Sequence, residues 1–140
     1  MQIEFDFKEE ANGVFGAVMR PVARLYLIGA SGEEVSEVFY VDSGADITLI
    51  PRSLGDLLGY SLADKSNVSE IKGVGGRSVP YLMRSVKIKF ADNCMIEARV
   101  AWSLIDEVPS LLGRLDVFEL FDIIFQKNRK TTFQFDAGIV

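Results

Sequence analysis

At 140 residues, with 49% hydrophobic and 25% charged side chains, the chain has the composition of one globular domain, 1–140, and excludes a long disordered linker. A net charge of −5 with scattered basic residues excludes a nucleic-acid surface, the short run Lys127-Asn128-Arg129-Lys130 reading as a solvated turn. The absence of histidine excludes the usual base of serine and cysteine hydrolases and the commonest ligand of catalytic zinc, so hydrolytic chemistry here must run on carboxylates, Lys or Tyr.

The opening Met1-Gln2-Ile3-Glu4-Phe5-Asp6 has neither the basic nor the apolar segment of a secretory leader, and no stretch approaches the ~20 apolar residues that span a bilayer. A cytoplasmic protein with no membrane partner is expected. Alternation of apolar and polar residues predicts strands over Ile3 to Phe7, Val22 to Ile28 and Val35 to Val41. The last two flank the turn-like Gly29-Ala30-Ser31-Gly32-Glu33-Glu34, forming a hairpin that delivers Asp42 at its end.

After Asp42-Ser43-Gly44-Ala45-Asp46 come the apolar run Ile47-Thr48-Leu49-Ile50, Pro51, and a short predicted helix, Ser53 to Gly59, with glycine at its exit. Further strands are predicted over Val79 to Phe90 and Cys94 to Trp102, with Cys94 a packed thiol rather than a reactive one. A short helix is expected around Leu115 to Phe121. A final hairpin then pairs Asp122 to Phe125 with Thr131 to Phe135. The pattern is mainly β: a closed or nearly closed barrel with one or two short helices.

The chemistry concentrates at Phe39-Tyr40-Val41-Asp42-Ser43-Gly44, where apolar residues lead into Asp-Ser-Gly. An aspartate at a sharp turn presents its carboxylate to a groove, the serine hydroxyl is free to bond a partner loop, and glycine lets the backbone turn tightly. Two such carboxylates held together cannot both ionise, so the pair contains a base to activate water and an acid to protonate a carbonyl. Asp-Ser-Gly alone is common, and its surroundings decide. Ile71-Lys72-Gly73-Val74-Gly75-Gly76-Arg77 forms a glycine-rich hairpin tip without the Gly-Lys-Ser/Thr ending of a phosphate loop, and Leu111-Leu112-Gly113-Arg114 follows later.

With these three motifs in this order, the sequence resembles the retropepsin-like aspartic peptidases over roughly Val35 to Phe135. The resemblance implies that Asp42 is the catalytic aspartate, with Ser43 and Gly44 as positioning partners and Ala45 and Asp46 lining the groove. It makes Gly73, Val74, Gly75 and Gly76 a flap closing over bound peptide. It makes Ile47, Val108, Pro109 and Leu111 groove walls favouring apolar residues at the scissile bond. Leu111, Leu112 and Gly113 would pack behind the active loop, and Arg114 would brace it through a partly buried pair with Asp46. Ser43 stands where viral members more often carry Thr, and Arg77 and Pro80 follow the flap glycines.

One chain supplies a single complete Asp-Ser-Gly, because Asp136-Ala137-Gly138 lacks the hydroxyl residue. A homodimer acting on peptide or protein substrates is therefore expected, with Ile3 to Phe7 and Phe133 to Val140 sharing an interface sheet. No cofactor or metal is expected. A glycosidase built on Asp42 and Asp46 is disfavoured, since four extended residues span ~13 Å, beyond the ~5.5 Å of retaining chemistry. The acidic spacing does not continue as a calcium loop either. The alternative to a peptidase is a non-catalytic module of the same fold that dimerises or binds peptides.

Overall fold

The computed structural model describes residues 1–63, 67–73 and 77–138. In chain order the strands are β1 (Gln2–Asp6), β2 (Lys8–Asn12), β3 (Gly16–Arg20), β4 (Val22–Ile28), β5 (Glu34–Val41) and β6 (Thr48–Ile50). The helix α1 (Arg52–Leu57) follows, then β7 (Ser69–Lys72), β8 (Ser78–Ala91), β9 (Cys94–Ser103), β10 (Leu111–Leu112), β11 (Asp122–Gln126) and β12 (Lys130–Gln134).

Six strands pair in the order β4-β5-β10-β6-β9-β8, and β8 returns to β4, closing a barrel with β7 hanging from β8. Alternation along β4 shows why: Ala23, Leu25 and Leu27 point into the barrel while Arg24 and Tyr26 face outward. In β9, Cys94, Ile96, Ala98, Val100 and Trp102 fill the same interior. Cys94 is fully buried, and burial pushes its thiol pKa up, as the packed-thiol reading expects.

The helix covers one end of this core. Gly55 lies against the Trp102 indole, where a Cβ would meet Nε1 at 2.0 Å, and that indole donates to the Arg52 carbonyl at 3.0 Å. A glycine that looks unfavourable for a helix is thus required by packing. The helix exits with Gly59 N–H donating to Asp56 O and Tyr60 N–H to Gly55 O, the pairing of a Schellman cap.

A separate antiparallel sheet, β1-β12-β11, packs onto the barrel through phenylalanines. Phe133 contacts Phe5, Phe90 and Phe121 at centroid distances of 5.6, 5.4 and 5.4 Å, and Phe121 also meets Phe135 at 5.8 Å. The hairpin β2–β3, which the sequence reading did not predict, forms a third, two-stranded sheet. The expected basic turn is present: Lys127 and Asn128 both take positive φ, and Arg129 N–H donates to Gln126 O.

Two expectations are corrected. Residues 115–120 form successive turns rather than a helix. Asp116 sits at φ 63°, which an α-helix of L-residues does not accommodate, and its carboxylate is held by the Arg99 guanidinium at 2.8 and 3.0 Å. The apolar spacing mimicked a helix because Val117 and Phe121 are both buried.

Among the described residues, the C-terminal segment is also not a strand beyond Gln134. The strand β12 ends at Gln134 and is flanked by β1 on one edge and β11 on the other, so its backbone groups are spent within the chain. Phe133 is fully buried, 137–138 form a turn, and 139–140 lie outside the described residues. No helix among the described residues is long and apolar enough to cross a membrane.

Candidate active site

The strand β5 ends at Val41, and Asp42 opens the loop that leads to β6. Between these two strands runs β10, parallel to β5 with Leu112 opposite Val41, and antiparallel to β6 with Leu111 opposite Leu49. The loop from Asp42 to Ile47 therefore straddles the end of β10, and backbone hydrogen bonds fix it there.

Asp42 N–H donates to Leu112 O at 3.0 Å, Arg114 N–H to Ala45 O at 2.9 Å and Leu115 N–H to Asp46 O at 2.9 Å. The fully buried Thr48 adds its hydroxyl, which accepts the Gly113 N–H at 3.0 Å. Gly113 fits only without a side chain: a Cβ would lie 2.3 Å from the Ile47 carbonyl carbon. Thr48 was missed from the sequence, where it reads as one more residue of an apolar run.

Within the loop, Gly44 N–H donates to Asp42 Oδ1 at 2.9 Å and Ala45 N–H to Asp42 O at 3.1 Å. The Asp42 carboxylate is thereby aimed by its own turn, with a backbone dipole directed at it. Asp42 is half-buried, while Ser43 and Gly44 are exposed.

Arg114 Nη2 and Asp46 Oδ1 form an ion pair, but with side chains 53% and 87% exposed it stands in solvent within one subunit. The expectation of a partly buried pair is corrected accordingly. Most of the bracing comes from the neighbouring backbone bonds, because exposed pairs contribute little.

A cavity of about 420 Å³ opens beside Asp42. Pro109 and Leu111 line it with Pro21, Tyr40 and Val41, and the β2–β3 hairpin adds Glu10 and Arg20. Ile47 and Val108, both half-buried, are not among its walls. Tyr40 Oη donates to Glu10 Oε2 at 2.5 Å. That hydrogen bond holds the Glu10 carboxyl below its ordinary range and pushes the Tyr40 phenol up. Glu10 and Arg20 were missed from the sequence, although Asn12-Gly13 is a hairpin signal that pointed to them.

The glycine-rich hairpin is formed by β7 and β8, with Ser69 opposite Tyr81 and Lys72 opposite Ser78. Gly73 N–H donates to Arg77 O at 3.1 Å. Of the expected flap, Gly73 to Gly76, the tip Val74 and the glycines Gly75 and Gly76 lie outside the described residues.

A family profile described as Aspartyl protease matches residues 28–114, more than half of the chain. The fold is similar to the crystal structure of a retropepsin-like aspartic protease from Rickettsia conorii, with a TM-score of 0.64, 16% identity, and coverage of 94% of this chain and 98% of that one. It is also similar to EIAV protease complexed with the inhibitor HBY-793, with a TM-score of 0.51, 21% identity, and coverage of 75% and 88% respectively. No curated protein sequence matches the chain. With Asp42-Ser43-Gly44 and Leu112-Gly113 inside the matched segment, the chain belongs to the aspartyl protease family and has its retropepsin-like fold.

Proposed function

We propose that the protein is an aspartic endopeptidase whose catalytic pair is Asp42 and its copy in a homodimer. The observation that carries this reading is the Asp42 loop, in which a half-buried carboxylate accepts the Gly44 N–H and stands beside a cavity, with a single Asp-Ser-Gly in the chain.

In the dimer the two carboxylates share one proton. The ionised one takes a proton from a water whose oxygen attacks the peptide carbonyl carbon, while the protonated one donates to the carbonyl oxygen. The resulting gem-diol then collapses as the C–N bond breaks: the leaving amine takes the proton that the base aspartate drew from water, and a gem-diol hydroxyl returns a proton to the other aspartate. No acyl-enzyme forms, which suits a chain without histidine. Ser43, exposed at the turn, is available to bond the facing loop, and the β7–β8 hairpin supplies the flap. The terminal strand β1 is paired on one edge only, with β12, so its outer edge is available to a sheet shared with the partner subunit beside the contact between the active loops.

Incubation with a diverse peptide library beside an Asp42→Asn control tests the reading. Cleavage by the parent protein and loss of it in a folded Asp42→Asn protein are expected. Undiminished turnover in the variant would end the proposal.

A further inference from the structure

We propose that Arg20, held on the β2–β3 hairpin by Glu10, selects a glutamate side chain beside the scissile bond of the substrate. This inference rests on the peptidase reading and deepens it. Lys8 and Arg20 face each other directly across the hairpin, an arrangement of like charges that is unfavourable unless an anion lies between them. Glu10 is that anion, with its carboxylate 3.5 Å from Lys8 Nζ and 3.5 Å from Arg20 Nε. Glu10 thus stands between two cations, of which Arg20 is the one that lines the cavity beside Asp42.

The geometry assigns the two halves of the cluster different tasks. Glu10 is occupied: it accepts the Tyr40 hydroxyl at 2.5 Å, and its side chain is only 23% exposed. Tyr40 lies two residues before Asp42, so this bond ties the hairpin to the strand that carries the catalytic loop. Arg20 is open: its side chain is 51% exposed, and among the described residues its ion pair is made through Nε. The terminal nitrogens of such a fork match a carboxylate in two parallel hydrogen bonds.

Arg20 and Asp42 line the same cavity, and the apolar Pro109 and Leu111 line it with them. A glutamate suits both surfaces, with its methylenes against Pro109 and Leu111 and its carboxylate on Arg20. Glutamine keeps the shape and loses the charge, and lysine meets the Arg20 guanidinium.

Peptides differing only in Glu, Gln or Lys next to the scissile bond, on each side in turn, test the assignment. For the parent protein kcat/KM is expected to favour Glu over Gln by about five- to tenfold, chiefly through KM, because a charge-assisted hydrogen bond to an exposed Arg is only partly screened. Raising the salt concentration should shrink that ratio. In Arg20→Gln the ratio should approach unity, and in Arg20→Glu the Lys peptide should become the better substrate.

Equal cleavage of the Glu and Gln peptides by the parent protein, or a Glu preference that survives Arg20→Gln, would overturn the inference while leaving the peptidase reading intact. Failure to cleave any of the peptides, or equal cleavage by Asp42→Asn, would overturn the peptidase reading and this inference with it.

Discussion

Gly113 and Ile47 approach so closely that a Cβ built on the glycine would stand 2.3 Å from the Ile47 carbonyl carbon and 2.4 Å from its oxygen. This contact seats the Asp42 loop on the end of β10. The neighbour is backbone, which cannot swing aside as a flexible side chain does. Gly113→Ala should therefore push the loop off its support, costing about 1–3 kcal/mol in the manner of an overpacked core. Denaturant unfolding measures the loss, and peptide cleavage should fall further than stability alone explains.

The Arg114–Asp46 pair behaves differently because both side chains are exposed within the subunit. Arg114→Ala should lower stability by less than about 1 kcal/mol, as for other surface pairs. Thermal denaturation across a range of protein concentrations checks this. A loss well above that figure would mean that dimerisation buries the pair, since stranding one member of a buried pair costs more than the pair's net worth.

Tyr40 and Glu10 give a pH-dependent readout. The Tyr40 hydroxyl first, and the Lys8 and Arg20 charges after it, hold Glu10 below its ordinary value of 4.5. A carboxyl depressed in the folded state contributes stability that is fully present above the unfolded value and is lost as pH falls through the folded value. The hairpin should thus stay attached through mildly acidic pH. Tyr40→Phe should move the Glu10 titration upward, toward 4.5, as followed by the NMR shift of its carboxyl carbon. An unmoved midpoint would show that the hydroxyl does not hold Glu10.

Phe135 is buried against Phe121 beyond the end of β12, and its N–H donates to Met1 O. Phe135→Ala should destabilise the folded subunit itself by about 3–5 kcal/mol, as for other buried aromatic truncations. An interface role alone would instead leave subunit stability unchanged and weaken only the dimer, which sedimentation and unfolding together distinguish.

Much of the barrel was legible because its strands alternate: β4 was predicted at Val22 to Ile28 and forms over the same residues. Strands β6 and β10 were not, because three and two residues are too short for a period to register. The turns at 115–120 were misread as a helix because burial of Val117 and Phe121 reproduces helical spacing, whereas the Asp116–Arg99 contact that favours the turn is distant in sequence. At the site, Asp42 stood out by its tripeptide. Thr48, Glu10 and Arg20 did not, since their positions beside the loop or its cavity depend on strand pairings that no local pattern displays.

The most direct test of a catalytic pair shared between two copies is specific activity against protein concentration, with sedimentation recorded on the same samples. Activity per chain should fall as the protein is diluted through its dimer dissociation constant, in step with the loss of dimer. Constant activity per chain in samples that sediment as monomers would contradict the account, because one subunit contains a single Asp-Ser-Gly.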